Sequence, residues 1–193
     1  FIFNINFFFS ILVFFGVPSL FLSLRAKEYV GHTVIFSLIF AIPFVIILDY
    51  IGHITSTCFI ANSVFIIRLL GYVTIDQILW CIFCVYFLIM FYRYFFSQNS
   101  SRKLYVRNTT PLVILLFILF LIFFILYFVN PNYLRIPYFY LTYGTVIGVV
   151  PLVVTSFIFK KIRYTFVKVG LYFFLFSFIY EITADKLGWW QFP

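Results

Sequence analysis

Six apolar runs, at about 3–24, 33–55, 76–97, 111–129, 137–158 and 166–187, make up most of this chain, and short polar stretches separate them. Each run is close to the roughly 20 residues that a helix needs to cross a bilayer. None alternates apolar and polar residues at period two, and all are too long for barrel strands, so the pattern predicts helices. Pro18 lies inside the first run and Pro151 inside the fifth, where a bend is expected. Helix four, Pro111 to Val129, has no polar side chain between Pro111 and Tyr127, which predicts a lipid-facing position.

Composition removes the soluble alternative. Of 193 residues 65% are hydrophobic and 9% charged, too few polar groups to dress a water-exposed surface. The net charge of +8 would suggest nucleic acid in a soluble protein. Here the cations sit at helix ends and in loops, so lipid headgroups are the expected partners and nucleic acid is not. Arg25, Lys27, Arg93, Arg102, Lys103, Arg107, Lys160, Lys161 and Arg163 follow helices one, three and five, with Lys168 just inside helix six; the other side holds Arg68, Arg135 and Lys186. That asymmetry predicts a cytoplasmic position for the first set and both termini outside, in a bacterial or archaeal plasma membrane. Helix one lacks a basic leader region and a small-x-small cleavage site and is long enough to span, so it reads as a membrane helix and not as a cleaved signal.

Against this apolar background one polar pattern occurs twice. Asp49, Gly52, His53 and Ser56 close the second run, and Glu181, Ala184, Asp185 and Gly188 close the sixth at the same spacings. Positions i, i+3 and i+4 share a helix face, so each copy aims two polar side chains one way beside a small residue that admits a close neighbour. Pro18 and Ser23 lie 133 residues before Pro151 and Ser156, and Asp49 lies 132 before Glu181. Two signals at nearly one offset predict an internal duplication. It gives a first three-helix repeat over 1–98, a linker helix over 111–129 and a second, incomplete repeat over 137–193, the copies running parallel through the membrane. The second copy lacks an equivalent of helix three, and the expectation is a seventh span beyond Pro193.

Acids at membrane depth are costly and so tend to face a cavity, a partner or a proton path. Desolvation keeps a carboxyl in hydrocarbon protonated, which makes it a candidate general acid. Aromatic faces can stabilise a carbocation, and 32 Phe and 15 Tyr supply many of them. A proton donor within aromatic walls suits the protonation and cyclisation of a polyene. The same acids could instead end in water or pair with Arg68 and Lys186, or form a proton path. Cys81-x-x-Cys84 reads as a packed apolar face, since no other metal or redox partner is near in sequence. Gly144-x-x-x-Gly148 predicts close helix contact. Asn99-Ser100-Ser101 and Asn108-Thr109-Thr110 match glycosylation acceptors on the side assigned to the cytoplasm, where they would go unused.

Ile42-Pro43-Phe44 to Asp49-x-x-Gly52, the Pro18/Ser23/Arg25 and Pro151/Ser156/Lys160 helix ends, and Glu181-x-x-Ala184-x-x-x-Gly188-x-Trp190-x-Phe192-Pro193 together resemble the lycopene cyclase domain family, membrane carotenoid cyclases of heterodimeric or tandem-fused type. The resemblance covers nearly the whole chain as two tandem domains. It implies non-redox cyclisation of lycopene end groups, with an acid protonating the terminal double bond and a base removing a ring proton. The family's Pro-x-Glu-Glu at the start of its third helix corresponds here to Thr74-Ile75-Asp76-Gln77, followed by Leu79-Trp80; Asp76 keeps one acid, and the proline and second acid are replaced. On this reading Glu181 and Asp49 are the acid candidates, Asp76 a second acid or base, and Asp185 and His53 their orienting partners. Trp190, Trp80, Tyr50 and Tyr180 would line the substrate path. No cofactor or metal is implied, and no Gly-x-Gly-x-x-Gly motif occurs. A partner membrane subunit is one route to completing the site.

Other classes fit parts of the pattern. Glu181-x-x-x-Asp185 looks like the second acidic motif of intramembrane aromatic prenyltransferases, although a Mg²⁺-bound diphosphate needs more cations than Arg68, Arg135 and Lys186 provide. Hydration of a carotenoid would use the same acids. A non-catalytic membrane subunit or a proton-coupled transporter would use the repeat without any chemistry on carbon.

Overall fold

A computed structural model describes residues 6–60, 63–97, 110–150, 153, 157 and 160–191. Pro151, Ser156 and the acceptor asparagines Asn99 and Asn108 fall outside them. The described chain is mostly helical. Helix α1 covers Phe7–Arg25, α2 Val30–Ile54 with a 3-10 lead-in at Lys27–Tyr29, and α3 Ile75–Tyr92. Helix α4 covers Thr110–Val129, α5 starts at Phe139–Tyr143 and continues through Gly144–Val149, and α6 covers Lys160–Lys186. Four stretches, Phe7–Arg25, Lys27–Ile54, Ile75–Phe96 and Val167–Lys186, are long and apolar enough to cross a membrane, and Val113–Val129 is a shorter apolar helix.

Proline leaves a local signature. Pro18 has no N–H to donate and its ring crowds the carbonyl four residues back. The turn before it, Leu12–Gly16, opens to π-helical geometry, with the Val17 N–H reaching the Leu12 carbonyl five residues away. Helix α5 widens in the same manner over Gly144–Val149, two residues before Pro151 in sequence, where the Val150 N–H reaches the Thr145 carbonyl. A Cβ added at Gly144 or Gly148 would meet nothing within 4 Å, so this pair does not serve close packing inside the described chain.

The small face of α2 makes the most intimate contact. Thr33, Ser37, Ala41 and Val45, spaced by four, are all buried and lie on one ridge that lets α3 come close. α1 packs on the other side of α3, where Ser23 Oγ and the Tyr86 hydroxyl meet at 2.6 Å. An aromatic core joins α1, α3 and α6, with the Phe15 ring 5.2–6.4 Å from Trp80, Phe87, Phe176 and Tyr180. A second core joins α2, α4 and α5 around Tyr50, Phe123 and Phe139.

The ends of α2 and α6 are built alike. On α2 the Ser56 N–H reaches the His53 carbonyl at 2.9 Å and the Thr57 N–H the Gly52 carbonyl at 2.9 Å; on α6 Gly188 reaches Asp185 at 3.0 Å and Trp189 reaches Ala184 at 3.0 Å. Ser56 and Gly188 take the left-handed conformation, φ 54° and 67°. Both are Schellman caps. The chain then runs straight into strand β1, Phe59–Ile60, and strand β4, Trp190–Gln191, which pair antiparallel with Phe59 opposite Gln191 and Ile60 opposite Trp190. Between β1 and α3 a small hairpin forms from β2, Arg68–Leu69, and β3, Val73–Thr74.

Candidate functional site

The C-terminal end of α2 carries the polar pocket. Its lining is Asp49 and His53 from α2, Cys58 and Ile60 from the chain that follows, Tyr72 and Thr74 from the hairpin, Gln77 from α3 and Tyr140 from α5. Thr74 is the N-cap of α3 and accepts the Gln77 N–H at 3.3 Å, which fixes Gln77 in the first turn. The Gln77 amide then donates to the Asp49 carboxyl. Its Oε1 finds no partner among the described residues, so an open acceptor stands beside the carboxyl. His53, one turn beyond Asp49, stacks on Tyr72 with ring centroids 4.0 Å apart.

Tyr140 closes the pocket from α5. Its hydroxyl donates to Cys58 Sγ, and it comes so near α2 that a Cβ on Gly52 would sit 3.1 Å from it. Glycine at position 52 is therefore what admits the tyrosine. Burial pushes the Cys58 thiol up to about 11, because the thiolate would be desolvated there. The pocket is small, about 20 Å³, room for about one water molecule. A larger open groove of about 410 Å³ lies at the α2 cap, lined by Ile54, Thr55, Ser56, Thr57, Arg135, Ile136, Pro137 and Tyr138.

Glu181, exposed on α6, is not among the residues that line the pocket. Cys58 and Tyr140 lie within the electrostatic reach of both Asp49 and Glu181. On α3, Cys81 lies within the electrostatic reach of Asp49 and Cys84, one turn on, within that of Glu181. Both cysteines also belong to apolar clusters, as a packed face requires. Among the described residues no group of three or more His, Cys, Asp or Glu side chains is arranged to hold a metal ion.

The remaining candidates go elsewhere. Asp76 is wholly buried away from the pocket, where its Oδ2 accepts the Ser63 hydroxyl at 2.6 Å and the Val64 N–H at 2.8 Å; it clasps the loop to the start of α3. Asp185 is exposed, and its carbonyl serves the α6 cap. Tyr50 is packed between Tyr72, Phe123 and Tyr127 rather than facing the pocket. Tyr180 and Trp80 stack on each other 6.4 Å apart inside the α1–α3–α6 core. Trp190 contributes its backbone to β4. Sequence reasoning missed Tyr140, Cys58, Tyr72 and Thr74 as pocket residues, and passed over Gln77 as a mere replacement of a second acid. The usable signal was Gly52, a small residue one turn from an acid, which announces a close neighbour without naming it. No protein-family model matches this chain, and neither does any curated protein or solved structure.

Proposed function

We propose that this protein is an intramembrane acid–base enzyme that cyclises the end group of a long polyene, in the manner of the lycopene cyclase domain family. The carrying observation is that two acid-bearing helices end in the same cap and are tied by one strand pair, with Cys58 and Tyr140 within the electrostatic reach of both Asp49 and Glu181. The finer architecture goes with it: six spans in two parallel tandem repeats, with α4 as the linker. Phe59 and Gln191 lie 132 residues apart, the offset of Asp49 and Glu181, and they face each other in the ladder. A pseudo-two-fold axis through that pair would exchange the two acids. The matching π-turns ahead of Pro18 and Pro151 support the same duplication.

In the proposed reaction one carboxyl gives its proton to the terminal double bond. The neighbouring double bond attacks the resulting cation and closes the ring, and the second carboxylate takes a proton from the adjacent ring carbon. Atoms and electrons balance without oxidant or cofactor. Tyr140 and Tyr72 present aromatic faces to the cation. Small-molecule sites run to roughly 300–1,000 Å³, a range that includes the open groove and excludes the one-water pocket. The end group would therefore dock in the groove at the α2 cap.

The test is expression in a lycopene-accumulating bacterium, with the pigments resolved chromatographically. A cyclised pigment that disappears in Glu181→Gln and Asp49→Asn is the expected result. Unchanged lycopene, with the protein verified in the membrane fraction, overturns the proposal.

A further inference from the structure

The loop that joins α2 to α3 is stiffly held and yet turns its apolar side chains outward. At its base Asp76 grips Ser63 and Val64, and Ser63 Oγ accepts the Phe65 N–H at 3.2 Å. Farther along, the Arg68 guanidinium donates to the Ile60 carbonyl at 3.2 Å and the Tyr72 carbonyl at 3.5 Å. The Phe65 ring is anchored edge-on against Phe8, 5.6 Å between centroids. Between these fixings Ile66 is 98% exposed, Ile67 65% and Val64 48%.

A branched aliphatic pair displayed by a fixed backbone is unfavourable in water and is left largely uncovered by the other described residues. Its place in the fold says what covers it. The loop starts just past Ile54 and ends in the first turn of α3, and both helices it joins are long enough to span, so the tip cannot lie far from the hydrocarbon boundary. At the same end of the bundle Arg135, Tyr133 and Tyr138 are exposed, and Arg135 and Tyr138 line the groove at the α2 cap. Arginine with exposed tyrosine is the composition that settles at headgroup level.

We propose that Val64, Ile66 and Ile67 dip into the interfacial region of the surrounding lipid leaflet and anchor this loop there. Tyr72 and Thr74 of the same stretch line the polar pocket. The anchor thus sets the pocket at the depth where a lipid-dissolved molecule presents its end. This inference does not depend on which reaction the pocket performs.

The experiment places nitroxide labels at Ile66→Cys and Ile67→Cys in a protein whose Cys58, Cys81 and Cys84 are alanine. The protein is reconstituted in phosphatidylcholine–phosphatidylglycerol vesicles, with Asn132→Cys as a polar reference. Power-saturation spectra in oxygen and in a water-soluble nickel chelate should show several-fold more oxygen than nickel contact at 66 and 67, and the reverse at 132. Nickel contact equal to the reference overturns the proposal, and so does shielding from both agents, which would mean a protein partner. Should the cysteine-free protein not fold, Ile66→Trp in the native background gives the same reading. Added emission quenched by brominated acyl chains supports the anchor; added emission quenched only by aqueous iodide overturns it.

Discussion

The two acid-bearing helix ends share a backbone and differ in what surrounds it. Next to the α2 cap stands Tyr140, in contact with Gly52 and near Thr57; next to the α6 cap stands Phe7, its ring 5.9 Å from Trp189. Asp49 is half-buried and bonded to Gln77, whereas Glu181 and Asp185 lie on an exposed face. Gly52 leaves room for a hydroxyl, while Ala184 is fully buried. One cap geometry thus serves a polar chamber in one place and an aromatic seam in the other. The acid alone does not make a site; the hairpin, α3 and α5 that wall it do.

The comparison is most exposed to Asp49→Asn and Glu181→Gln measured side by side. If the two carboxyls work as donor and acceptor, each change should lower product formation by about 100-fold or more, the range for a lost general acid or base. If one is dispensable, the pairing fails. Cys58 comes next. With its thiol raised to about 11 from an ordinary 9.0, the reactive thiolate at pH 8 should be about 100-fold scarcer than in a free cysteine, and alkylation followed by mass spectrometry should speed up about tenfold per pH step until pH approaches 11. Reaction at the rate of an exposed thiol would mean that the chamber wall is open.

Asp76→Ala tests whether that acid is a clasp rather than a catalyst. Removing a buried carboxyl with two donors on it should cost about 3 kcal/mol in a detergent unfolding titration, and any residual folded protein should keep its activity in proportion. Smaller still are the cap exchanges. Gly52→Ala forces Tyr140 back by a few tenths of an ångström, and about 1 kcal/mol together with a drop in turnover is expected; Ala184→Gly should leave turnover alone. Ser56→Gly relieves a left-handed serine and should stabilise by about 1 kcal/mol, whereas Gly188→Ser should destabilise by a similar amount.

Much of this was legible because helices write themselves into sequence with a local period. The apolar runs announced α1, α2, α3 and α6 to within a few residues, and the echo of Asp49-x-x-Gly52-His53-x-x-Ser56 in Glu181-x-x-Ala184-Asp185-x-x-Gly188 foretold two like helix ends. What stayed hidden depends on distant partners. A two-residue ladder such as Phe59–Ile60 with Trp190–Gln191 is too short to impose alternation. Asp76 looked like chemistry because its partners, Ser63 and Val64, are 13 and 12 residues away in an irregular loop. Tyr140 was one aromatic face among 15 tyrosines, and only its approach to Gly52 sets it apart.

The strand pair has a consequence for assembly. β1 emerges early in synthesis, but its partner Trp190–Gln191 is made about 130 residues later, so the segment after α2 waits with its edge unmatched while four further helices are laid down. The strand that carries the pocket residue Ile60 is in this sense completed late in biogenesis, by the last described residues of the chain. A nascent chain arrested before Trp190 would hold Ile60 on an unpaired edge.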